Sequence, residues 1–183
     1  MTGNPLESAL TELVAFLEQE RVPYMVIGAV AGIAWGLRRA TFDVDVTVWA
    51  AEREAQLVLR LAERFRARVP APARFVAETG VLPIVVSGTN ADIVFGRLSY
   101  EETAIRRAPA RRLGAATVRI CTPEDLIVLK VISDRPKDLQ DLREVVAAVG
   151  GSLDRAYLDP IVNALAADLV RPDIRERFLS LFT

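Results

Sequence analysis

The chain has 183 residues, 51% of them hydrophobic, with 23 basic and 24 acidic side chains and a net charge of −1. That is enough apolar material for a real core, and it gives no global pull toward nucleic acid or an anionic membrane surface. Histidine is absent and Cys121 is the single cysteine, which excludes Ser-His-Asp and Cys-His catalysis, histidine-dependent RNases, internal disulfides and the usual zinc sites. No apolar run is long enough to cross a bilayer and the N-terminus lacks the order of a signal peptide, so a cytoplasmic chain without membrane contact is expected. Catalysis, if present, falls to carboxylates with a metal, helped by Lys and Arg.

Leu6, Leu10, Leu13, Val14 and Leu17 recur at helical spacing and predict a helix over 5–20, closed by Arg21-Val22-Pro23. Tyr24-Met25-Val26-Ile27 predicts a buried strand stopped by Gly28, followed by a short helix over 29–37. From Phe42 to Val48 the chain alternates and is rich in Val, Phe and Thr, so it reads as a strand. Asp43 and Asp45 then share one face, with Phe42, Val44 and Val46 on the other. An amphipathic helix is expected over 51–68, then a break at Pro70-Ala71-Pro72 and strands over 74–77, 81–86 and 91–95. A short helix over 100–105 precedes two strands, 107–113 and 117–120, paired across Gly114-Ala115-Ala116.

Thr122-Pro123-Glu124-Asp125 is a helix start: a hydroxyl cap, Pro at the first helical position, then acids near the positive dipole end. That helix should run to about Ser133, with further helices over 137–149, 153–170 and 172–181. The order predicts an α/β (α+β) fold, a mixed β-sheet flanked by helices. The core is expected over 1–121, with a C-terminal helical segment, 122–183, packed on it.

Two carboxylates side by side repel each other unless a cation or proton lies between them. A hard divalent ion, Mg²⁺ (or Mn²⁺), suits carboxylate oxygens and commonly also binds substrate phosphates. A strand that ends in Gly28 and leads directly into a helix offers backbone N–H groups to a phosphate, and glycine allows close approach. Asp92, at the start of an apolar strand, would supply a third carboxylate for a two-metal arrangement; its other reading is turn chemistry.

Ile27-Gly28-Ala29-Val30-Ala31 followed by Arg39-Ala40-Thr41-Phe42-Asp43-Val44-Asp45-Val46 resembles motif I of the DNA-polymerase-β-like minimal nucleotidyltransferases. Thr122 to Lys130 and Arg135 to Leu142 are similar to the C-terminal motifs of the AbiEii-like (abortive-infection, type IV toxin) branch. The resemblance implies transfer of a nucleoside monophosphate from an NTP to a hydroxyl of RNA (tRNA), protein or a small molecule. It further implies release of pyrophosphate, dependence on Mg²⁺, and a toxin role with a cognate antitoxin. Carried over, Asp43, Asp45 and Asp92 are metal ligands and catalytic, Lys130 and Asp138 act in catalysis, and Gly28, Ala29, Arg39, Thr41, Lys130 and Asp141 hold the nucleotide.

One departure is Ala29, which stands where the family has a second Gly or Ser. The backbone amide survives that change and a serine hydroxyl does not. The rival readings are an inactive nucleotide- or protein-binding module of the same fold, and a haloacid-dehalogenase-type phosphatase. The phosphatase is disfavoured because its Asp-x-Asp ends an apolar strand, whereas Arg38-Arg39-Ala40-Thr41 precedes Asp43 here. Arg106, Arg107, Arg111 and Arg112 form a local basic cluster able to hold RNA phosphates or simply to be solvated.

Overall fold

Asn4 opens the first helix by accepting the Leu6 N–H at 3.1 Å, with Pro5 in the first turn. This helix, α1 (Pro5–Gln19), turns Leu10, Leu13, Val14 and Leu17 into the core. The computed structural model describes residues 4–114, 116–133 and 135–182. Two compact units are distinguished: Met1–Val30 with Thr41–Ile120, and Ala31–Ala40 with Cys121–Thr183.

In the first unit β1 (Tyr24–Ile27), β2 (Asp43–Val48), β3 (Arg66–Ala67), β4 (Val81–Val86) and β5 (Thr89–Phe95) form one sheet in the order β1-β2-β5-β4-β3. The β2–β5 pair is parallel and the other pairs are antiparallel, so the sheet is mixed. The register sets Asp45 between Ile27 of β1 and Asp92 of β5, and Asp43 beside Asn90. Val44 and Val46, on the opposite face of β2, are fully buried. α2 (Gly28–Ala34) follows β1 with no intervening loop. α5 (Ser99–Arg107) leads to a two-stranded ribbon, β6 (Ala110–Leu113) with β7 (Ala116–Arg119). A parallel bridge from Ile120 to Val26 attaches the end of the ribbon to β1.

The second unit is helical. α6 (Pro123–Ile132) begins as predicted: the Thr122 hydroxyl accepts the Asp125 N–H at 3.1 Å. α7 (Pro136–Val149), α8 (Arg155–Asp168) and α9 (Pro172–Leu179) follow. α6 packs against α7, α8 and α9, and Leu126, Ile127, Val128, Leu142, Val145, Leu158, Val162 and Ile174 of these helices are buried. Among the described residues no helix is long and apolar enough to cross a membrane.

Three local expectations fail for physical reasons. Residues 74–77, expected as a strand, lie inside a helix, α4 (Pro72–Thr79), with Pro72 in its first turn and Gly80 as a left-handed cap at φ +73°. Four residues were too few to show a helical period. The expected helix over 51–68 is a 3₁₀ turn, Ala51–Arg53, then α3 (Glu54–Arg64); Phe65 turns extended and β3 pairs with β4. A sheet edge asking for one more partner overrode amphipathic continuity. Phe42 is not under the sheet with Val44: it precedes β2 and is 85% exposed.

Candidate active site

Asp43 and Asp45 begin β2, on the face opposite its valines. Exposure falls along the strand from exposed Asp43 through half-buried Asp45 to fully buried Thr47, whose hydroxyl has no hydrogen-bond partner among the described residues. The Thr41 hydroxyl donates to Asp43 Oδ1 at 2.5 Å. Thr41, expected at the nucleotide, stands beside the first aspartate of the pair.

Gly28 is built against Asp45. Its φ is +66°, and a Cβ there would lie 2.0 Å from Asp45 Oδ2 and 2.8 Å from its Cγ. Only glycine satisfies both the left-handed backbone and the close approach. Ala29 is not among the residues with positive φ and lies buried inside α2. The strained position thus falls on Gly28, and alanine at the next position costs no strain. Gly28→Ala is expected to destabilise the protein by about 1–2 kcal/mol through the left-handed backbone, measured by denaturant unfolding. It should also push Asp45 aside, since the added Cβ would meet its carboxylate.

Asp92 stands beside Asp45 in register on the same face. It is paired with the Arg68 guanidinium, which binds Asp92 Oδ1 while its Nε donates to the Ile84 carbonyl at 3.2 Å. Nothing in the sequence pointed to Arg68, since only the β3–β4 pairing brings residue 68 to strand β5. No group of three or more carboxylates or thiols converges as a metal cage among the described residues. Asp43 and Asp45 are nonetheless two hard oxygen donors on one face, a set that suits Mg²⁺, which typically takes one or two carboxylates and completes its shell with phosphate oxygens and water.

The remaining expected site residues gather in the second unit. Lys130 Nζ, on α6, donates to Asp138 Oδ1 and, at 2.8 Å, to Asp141 Oδ2, both on α7. Arg39 grips Asp141 bidentately, Nε to Oδ1 at 2.8 Å and Nη2 to Oδ2 at 2.9 Å. Ser133 (2.7 Å) and Arg135 (2.6 Å) complete Asp138. Asp138, Asp141 and Lys130 are 1%, 3% and 7% exposed, so the two aspartates are not the surface acids that their place in the first turns of a helix suggests. Burial alone would raise both carboxyl pKa values. The hydrogen bonds and charges of Lys130, with Ser133 and Arg135 at Asp138 and Arg39 at Asp141, outweigh it and hold both below the usual carboxylate range. Ser133 and Arg135 were not foreseen; their signal is spacing, a hydroxyl and a guanidinium five and three residues before Asp138.

No protein-family model matches the sequence, and no curated protein matches it. Solved structures do resemble the fold. An antigenic nucleotidyltransferase-like protein from Paracoccidioides brasiliensis aligns over 97% of this chain and 94% of its own, with TM-score 0.57 and 14% identity. The lincosamide antibiotic adenylyltransferase LnuA, solved with lincomycin, aligns over 79% of this chain and 99% of its own, with TM-score 0.56 and 11% identity. ANT(2")-Ia, solved with adenylyl-2"-tobramycin, aligns over 92% of this chain and 96% of its own, with TM-score 0.53 and 15% identity. The fold is that of the nucleotidyltransferases.

Proposed function

We propose that this protein transfers a nucleoside monophosphate from an NTP to an acceptor hydroxyl with Mg²⁺ as cofactor. The observation that carries the reading is the placement of Gly28 against Asp45, with Asp43 on the same face of β2. Asp43 and Asp45 would hold the divalent ion, which when bound neutralises triphosphate charge. Gly28, without a Cβ, lets the Asp45 carboxylate lie against the start of α2. Asp92, whose Oδ1 takes the Arg68 guanidinium, would serve as base toward the acceptor hydroxyl. The acceptor oxygen bonds the α-phosphorus as the bond to the bridging oxygen breaks, and pyrophosphate leaves.

The likeness of Thr122–Lys130 and Arg135–Leu142 to AbiEii-like motifs supports a toxin role beside a cognate antitoxin, with RNA, protein or a small molecule as acceptor. LnuA and ANT(2")-Ia, whose names and bound molecules speak of antibiotics, support a small-molecule acceptor for the same fold. The phosphatase reading loses ground because Asp43 and Asp45 start their strand instead of ending it. We read Lys130, Asp138 and Asp141 as an ion cluster that ties α6 to α7, not as substrate ligands.

The test supplies each α-labelled NTP with Mg²⁺ and separate pools of tRNA, cell protein and aminoglycoside or lincosamide. Label should pass to one pool and stop on chelation of the metal. Mg²⁺-dependent NTP binding with no transfer to any pool would replace the enzyme by a binding module, and covalent phosphate on Asp43 would replace it by the phosphatase.

A further inference from the structure

The β6–β7 ribbon carries a charge pattern that nucleotide transfer does not use. From Thr103 to Pro123 the sequence holds five arginines, at 106, 107, 111, 112 and 119, and no acid. Arg106 is answered by Glu102 at 2.7 Å. Arg112 and Arg119 are not answered by any carboxylate among the described residues. Arg112 Nε donates to the Gly114 carbonyl and Arg119 Nη1 to the Ala108 carbonyl, each at 3.2 Å. Main-chain carbonyls fix the direction of a guanidinium without cancelling its charge.

The ribbon places both on one face. Arg112 pairs with Thr117 and Ala110 with Arg119, so these four side chains alternate away from Ala116 and Val118, which are buried. Ile120 bridges to Val26, which pairs with Val46, so these three residues share the apolar face. Arg119, one residue earlier, therefore alternates away from that face, on the side of the ribbon that holds Arg112 and Thr117.

We propose that the Arg112–Arg119 face of the β6–β7 ribbon is a docking track for the phosphates of a single-stranded nucleic acid. Planar guanidinium groups held by main-chain carbonyls, with no ion pair among the described residues, suit phosphodiester oxygens, while the Glu7 carboxylate lies against Gly114 at the ribbon's turn. Thr117 adds a hydroxyl to the same face, and a two-stranded ribbon gives a strand room to lie along it. The inference stands apart from catalysis and holds whether or not transfer occurs.

Fluorescence polarisation with a labelled oligouridylate, read between about 50 and 200 mM salt, tests it. The native chain should bind with an affinity that falls steeply with salt. R112A/R119A should lose about tenfold in affinity and flatten the log–log salt slope by about 1.4, at roughly 0.7 per lost phosphate contact on a single strand. R74A, which removes an exposed arginine paired with Glu78 on another element, should leave both unchanged. Equal loss in R74A would overturn the track. So would tighter binding of labelled polyglutamate than of RNA, which would assign the face to an acidic protein. Unchanged RNA affinity with new self-association in R112A/R119A would also overturn it, making the arginines edge-strand protection.

Discussion

On the proposed function, Asp45→Asn is expected to lower the rate of label transfer about a thousandfold, the loss of roughly 4 kcal/mol of transition-state stabilisation through the proposed metal site. The substitution keeps the shape of the side chain and removes its charge. Asp45 is the member of the pair that Gly28 touches and that Asp92 flanks in register, so it is the carboxylate least able to be replaced by a shift of its neighbours. The comparison is kcat/KM for native and variant chains with the NTP that labels an acceptor, alongside unfolding curves to show that both are folded. A variant that keeps native turnover would remove the aspartate pair from the chemistry, whatever the fold.

Lys130→Met should lower the free energy of unfolding by about 3 kcal/mol, the lower end of the cost of breaking a buried ion pair. Lys130 is 7% exposed and its ammonium faces Asp138 and Asp141. Methionine conserves apolar volume but leaves two buried carboxylates with one cation each, Arg135 and Arg39. Those two remaining partners are why the lower figure applies. The same cluster sets a pH signature. Both aspartates have folded-state pKa values below their unfolded ones, so their stabilisation is present above the unfolded carboxylate value and disappears as pH falls through the folded values. Below about pH 4 the native chain should lose stability faster than Lys130→Met, which has less of that term to lose. Guanidinium titrations across that window decide the matter. A Lys130→Met protein as stable as the native one but unable to transfer would return Lys130 to the substrate.

The sequence by itself determined the elements with a strong local signal. The first helix, β1, the aspartate strand and the capped start of α6 all rest on periodicity or on side chain–backbone chemistry within a few residues, and these are legible without a fold. It also supplied the grounds for proposing metal-assisted phosphate chemistry, because a chain without histidine and with Asp43 and Asp45 on one strand face has few other means. Only the tertiary structure decided who answers whom. Arg68 reaches Asp92 because β3 joins the sheet edge, and Lys130, Arg39 and Arg135 converge on Asp138 and Asp141 because α6 packs on α7. Burial of those aspartates and exposure of Phe42 depend on what stands opposite each residue in space. Local alternation carries no record of that, since side-chain period says which residues share a face and not what covers it.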